Sequence, residues 1–306
     1  MSEDDKALVR RWLAEGDKDN PIINNTVKLI QTESNRLKQY LHALPQAALE
    51  GPTPCERWNV GDMIAHLVWF AQTYGGMMAR GLHGDLSAPD GFPDAGKLSG
   101  PESQELYAMG SIALRHALGA GLLPAFNERY DWLNAMLQRI GPEDWHKPCY
   151  HTSGLRSVES FLPTIIQELA VHEWDIRSSL GPAPPLSAES LPVLMAKLPL
   201  DKPPTNRRPW RTPFPTWYDP SRPVRYHFDV SGAGGAKLDI VVEGDTPRLE
   251  AAGEGPADLY VTGDTSTFVL MVYNRLSLDW AISTGNFTAE GALELVVEFD
   301  RWLAAQ

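Results

Sequence analysis

The chain has 306 residues, 43% apolar and 22% charged, and at roughly 100–200 residues per domain it suffices for two globular domains. Its net charge of −12 disfavours nucleic-acid backbones and anionic membranes as partners, and two cysteines without a CxxC pair exclude a disulfide framework and a Cys-rich zinc site. The longest apolar runs fall far short of the ~20 residues of a membrane span, and the acidic start MSEDDKALVRRW is not that of an export signal, so a cytoplasmic location is expected.

In chain order, residues 1–20 form an extension in which a short helix is expected over Asp5–Ala14. From 21 to 181 apolar residues recur at three and four, the helical period. Helices are predicted over about Ile22–Leu44 and, after the turn GPTPCERW, over about Val60–Arg80. Residues 102–140 read as two helices broken near Gly119–Gly121. The last helix runs from about Val158 to Leu180 and stops at Gly181-Pro182, a strong terminator. Four apolar-faced helical regions make a bundle.

Residues 182–223 hold a large share of the 25 prolines and are predicted as a connector without helix. Over 224–306 the period changes. VRYHFDV and KLDIVVEG form a hairpin around SGAGGA, RLEAAG and ADLYVTG add two strands, and Asp264 caps a helix over TSTFVLMVYNR. A final amphipathic helix is predicted from about Thr288 to Leu303. The expected fold is α followed by a small α+β domain.

The helix over 158–180 carries polar residues where apolar ones belong. Its stripe is Val158, Phe161, Leu162, Ile165, Leu169 and Ile176, and the series 161, 165, 168, 172, 176 puts Glu168 and His172 in that stripe. Side chains four apart on one face can converge on one atom. On the second helix His66 lies among Met63, Leu67, Phe70 and Tyr74 and points to the bundle axis. Two histidines and a carboxylate are a set that zinc accepts with a position left open, and nickel, cobalt, manganese or ferrous iron fit it too. Asp175, three residues after His172, is placed to accept the free ring N–H of a liganding histidine. A hydrogen-bonded core histidine and a covered Glu168–His172 pair satisfy the same pattern without a metal.

The stretch CERWNVGDMIAHL resembles the Trp-x-Val-x-Asp-x-x-x-His-Leu signature of the mycothiol-dependent maleylpyruvate isomerase family, within the DinB-like metalloenzyme superfamily. QELAVHEWDIRSSLG is similar to the same family's Glu-x-x-x-His-x-Trp-Asp segment. The resemblance implies a DinB-like four-helix bundle followed by a small α+β domain similar to sterol carrier proteins. It implies that His66, Glu168 and His172 hold a catalytic divalent metal, usually zinc. It also implies an essential arginine from the C-terminal domain. The nearest match is Arg275 in MVYNRLS, where Asn274 stands in place of the Gly common in relatives.

The implied activity is that of a metal- and low-molecular-weight-thiol-dependent isomerase or S-transferase acting on a small, carboxylate-bearing electrophile. The metal-bound thiolate of a mycothiol-like cofactor is then the nucleophile, and with only Cys55 and Cys149 in the chain the reacting sulfur comes from outside. Two other functions fit the residues: a metal-dependent hydrolase with Glu173 or Asp175 as base, and a non-catalytic small-molecule or lipid-binding protein. Three further features carry less. Glu143–His146 spells ExxH but lacks partner glutamates on facing helices. Gly232–Gly235 joins two strands and is no dinucleotide fingerprint. The cluster Arg207, Arg208, Trp210, Arg211 is too short for nucleic acid and suits, at most, an anionic substrate.

Overall fold

The computed structural model describes residues 21–304 except 56, 98–99, 199–221, 244–245 and 254. The expected helix over Asp5–Ala14 and the cluster from Arg207 to Arg211 lie outside the described residues. The described residues divide into two compact units, one up to Pro184 and one from Pro185 onward.

The first unit is helical: α1 (Pro21–His42), α2 (Val60–Leu82), α3 (Gly100–Leu118), α4 (Leu122–Leu137) and α5 (Leu162–Leu180), the last preceded by a 3-10 turn over Val158–Phe161. A short ladder, β1 (Pro148–Cys149) with β2 (Arg156–Ser157), lies between α4 and α5. Helices α1, α2, α4 and α5 pack into the bundle, with α1 against α4 and α5, and α2 against α4 and α5. Helix α3 leans on α2 from outside. By length and hydropathy alone residues 105–137 suffice to cross a membrane, although they hold no long uninterrupted apolar run. They are two helices, broken by the 3-10 turn Gly119–Gly121 with Gly119 at φ +50°. The predicted stripe of α5 is buried throughout, Val158 through Ile176. Beside it a polar knot ties α5 to α1: Arg36 donates to buried Glu33 and Glu173, and Arg177 donates to Glu173 while lying 3.8 Å from the Tyr40 ring centroid.

The second unit contains a helix inside the Pro-rich segment, α6 (Leu191–Ala196), where none is predicted. Pro192 sits in its first turn, where a missing N–H breaks no helical bond, and buried Leu191, Leu194 and Met195 supply an apolar face against α7 (Thr265–Val272). Strands β3 (Val224–Ser231), β4 (Ala236–Glu243), β5 (Thr246–Ala251), β6 (Leu259–Asp264) and β7 (Phe287–Gly291) form one sheet in the order β5-β4-β3-β6-β7. The β3–β4 hairpin is antiparallel as the sequence predicts, and β3–β6 is parallel. Helix α7 starts on the Asp264 cap, whose carboxylate accepts from Thr267 N–H at 2.9 Å. After α7 come α8 (Leu278–Ser283), β7 and α9 (Leu295–Ala304). The predicted helix from Thr288 is therefore corrected: residues 287–291 are the edge strand, paired with β6 through Thr262↔Thr288, and helix begins only at Leu295. On the sheet, Phe228 packs 5.0 Å from Phe268 of α7 and 5.4 Å from Phe299 of α9, centroid to centroid.

Candidate metal centre

The loop before α2 is folded by its own polar residues. Thr53 Oγ1 donates to the Trp58 carbonyl at 2.7 Å and accepts from Cys55 N–H at 3.2 Å, and Trp58 N–H donates to the Cys55 carbonyl at 2.8 Å. Asn59 then starts the helix with a full capping box: its side chain accepts from Asp62 N–H, and Asp62 accepts from Asn59 N–H. With the start fixed at Val60, His66 falls on the second turn, 6% exposed between buried Met63 and Phe70. The Trp58 ring lies 4.6 Å from that imidazole and 6.1 Å from the His172 ring.

Across the bundle, α5 brings Glu168 and His172 to the same point. Glu168 Oε2 lies 3.0 Å from His66 Nε2 and 3.1 Å from His172 Nε2. The remaining ring nitrogens are also held. His172 Nδ1 donates to Asp175 Oδ2 at 2.9 Å, and His66 Nδ1 lies 3.2 Å from Ser111 Oγ, which itself donates to the Tyr107 carbonyl. Both inward nitrogens are thus Nε2, each imidazole being fixed from behind. The Glu168 and His172 side chains keep 16% and 12% exposure.

The charges are set by these contacts. Burial pushes the His172 imidazole down, but the bonds to Asp175 and Glu168 outweigh it and lift its pKa to about 9. Burial likewise opposes ionisation of Glu168, and the two histidines overcome it, holding the carboxyl far below the usual carboxylate range. His66 goes the other way: burial lowers its pKa, and Glu168 offsets that only in part. Without a cation the cluster is therefore Glu168 ionised and His172 protonated at pH 7, while burial favours the neutral form of His66. The phenols of Tyr74 and Tyr130 are raised by burial, with Glu168 adding to the shift, and remain neutral walls.

The donor set fits a divalent cation. Ligand atoms of His66, Glu168 and His172 all lie within 4.8 Å of one another, and the set is two imidazoles and a carboxylate. Asp175 stands behind His172, where the sequence puts it. Of the two bases suggested for a hydrolase, Glu173 is turned to α1 and bonded to Arg36 and Arg177, while Asp175 is bonded to His172. Arg275 belongs to the second unit. It closes a Schellman end to α7, its N–H bonding the Leu270 carbonyl and that of Asn274 bonding Met271. Among the described residues Asn274 is the non-glycine residue at positive φ, +59°, which explains how Asn fills the place of Gly. The Arg275 side chain donates to the Tyr273 carbonyl at 2.8 Å. Glu143 and His146 make no joint site, His146 pairing with Glu159 at 3.0 Å. Ser111 and the position of Cys55 beside Asp175, Sγ to Oδ2 3.9 Å, carry no signal in the sequence.

Residues 30–177 match the family model "Mycothiol maleylpyruvate isomerase N-terminal domain", and residues 224–304 match the "SCP-2 sterol transfer family". No curated protein sequence matches the chain. Among solved structures the fold is similar to that of the mycothiol-dependent maleylpyruvate isomerase, with TM-score 0.56 and 14% identity over 88% of this chain and 92% of the other. A histidine-to-alanine mutant of that enzyme matches equally, with TM-score 0.57 at the same identity and coverage. Residues 30–177 thus carry the domain of the mycothiol maleylpyruvate isomerase N-terminal family and residues 224–304 that of the SCP-2 family, in that order along the chain.

Proposed function

We propose that this protein is a maleylpyruvate isomerase-like enzyme that uses mycothiol or a similar small thiol together with a divalent cation, acting on a small electrophile by isomerisation or S-transfer. The observation that carries this reading is the convergence of His66 Nε2, Glu168 Oε2 and His172 Nε2 on one point. A cation held by these three residues would keep a thiol sulfur in its anionic, nucleophilic form near neutral pH. The chain's own residues prepare the place. Ser111 and Asp175 fix the two imidazoles so that Nε2 faces inward, and Glu168 brings the negative charge that offsets a cation. Trp58 covers His66, and its buried indole N–H has no hydrogen-bond partner among the described residues, a donor that a bound ligand could engage.

A cytoplasmic location and zinc as the metal belong to the same proposal, in line with the family. Both sequence candidates for a hydrolase base are engaged elsewhere, Glu173 with Arg36 and Asp175 with His172. The test has two parts. Metal analysis of purified protein is expected to give about one equivalent of divalent cation, lost in His66→Ala. Turnover of maleylpyruvate is expected only with added thiol. Metal well below one equivalent and unchanged by the substitution, or turnover indifferent to thiol, would overturn the reading.

A further inference from the structure

Asp175 does more than hold His172. Its side chain is fully buried, and its Oδ2 lies between His172 Nδ1, at 2.9 Å, and Cys55 Sγ, at 3.9 Å. One ligand atom each from Cys55, His172 and Asp175 can be chosen so that all lie within 4.8 Å of one another. The cluster is built: Thr53 and Trp58 fix the turn that carries Cys55, and Asp175 follows His172 by one helical turn. Cys55 is half-buried, so the cluster is reachable.

We propose that Cys55 Sγ, Asp175 Oδ2 and His172 Nδ1 form a second cation site, sulfur-containing and suited to soft, thiophilic ions such as Cd²⁺, whose occupation excludes a cation from the His66–Glu168–His172 set. The chemistry of the imidazole gives the exclusion. A neutral histidine has one lone pair and one N–H. With a cation at the first set, His172 offers the Nε2 lone pair and its Nδ1–H donates to Asp175. With a cation at the second, it offers the Nδ1 lone pair and its Nε2–H donates to Glu168. The ion takes the place of the Nδ1 proton and of the Cys55 thiol proton, both of which pass to solvent. Thiolate ligation selects soft ions here, whereas the nitrogen and oxygen set accepts harder ones. The competition rests on the proposed function; the sulfur ligation does not.

The probe is Cd²⁺ added to metal-free protein, read by the ultraviolet thiolate-to-cadmium charge-transfer band. The band is expected in the wild type and in His66→Ala, saturating at one equivalent, and absent in Cys55→Ser. In wild-type protein preloaded with one equivalent of Co²⁺, added Cd²⁺ is expected to release cobalt one for one. No band in His66→Ala, or a band that survives in Cys55→Ser, overturns the sulfur site. Two ions bound together overturn the exclusion. If the proposed function alone fails, cobalt binding is indifferent to His66→Ala while the cadmium band in that variant persists.

Discussion

Replacing Asp175 by Asn removes one negative charge from behind His172 with almost no change in shape. The Asp175 side chain has no exposure and accepts the Nδ1–H at 2.9 Å, so the bond is a charge-assisted one in a dry setting. The amide can still accept through its oxygen, which preserves the ring's orientation, but it no longer raises the basicity of Nε2. Loss of a partner of this kind typically costs 10–100-fold in metal affinity, about 1.4–2.7 kcal/mol. The affinity for Co²⁺ is measured by competition against a chromophoric chelator at fixed pH, in a Cys55→Ser background so that Cys55 does not contribute. Because Asp175 is one of the two groups that lift His172 to about 9, the metal-free variant should also show a lower His172 pKa by NMR. Asp175→Asn protein that binds Co²⁺ within twofold of wild type, with His172 still titrating near 9, would falsify the assignment of Asp175 as the group that orients and charges the ligand.

Three further outcomes are expected. A cation at His66, Glu168 and His172 must displace the His172 proton, so apparent affinity should rise with pH up to about 9, close to tenfold per pH unit from neutral, and a flat profile refutes this. In the second unit Asp239 is buried and, against the effect of burial, is held below the usual carboxylate range by Gly253 N–H, His227 and Arg225. Its folded pKa is depressed, so its stabilisation is present above the ordinary Asp range and is lost as pH falls through the folded value. Asp239→Asn should cost on the order of 2–3 kcal/mol at pH 7 and flatten the acid limb of thermal unfolding, while an unchanged limb sinks the idea. Arg275→Gln tests the cationic role that the family resemblance implies. The Schellman end is made by backbone groups and should survive, metal content should stay at wild type, and kcat/KM should fall roughly 10–100-fold, the scale of one charged hydrogen bond. Wild-type kinetics would remove Arg275 from the mechanism.

Periodicity made much of this molecule legible. His66, Glu168 and His172 were detectable because a helix projects every third and fourth residue onto one face, and a charged residue on an apolar face conflicts with local patterning. The β3–β4 hairpin and the Asp264 cap were equally local, each written in a handful of adjacent residues. Local pattern and structure part where the deciding partner is remote. Residues 287–291 look like the start of a helix, and pairing with β6 makes them strand. Leu191–Ala196 sits among prolines, and the contact with α7 makes it helix.

The sequence by itself determined the two-part architecture and the three residues that meet in the bundle, since both depend on composition and helical phase. Beyond the local His172–Asp175 pair, tertiary structure alone decided how those residues are held. Ser111 reaches His66 across 45 positions, and Cys55 reaches Asp175 across 120. Neither pair shares an element, so no periodicity links them. Only the packing of α3 on α2, and the turn that leads into α2, brings their atoms within reach.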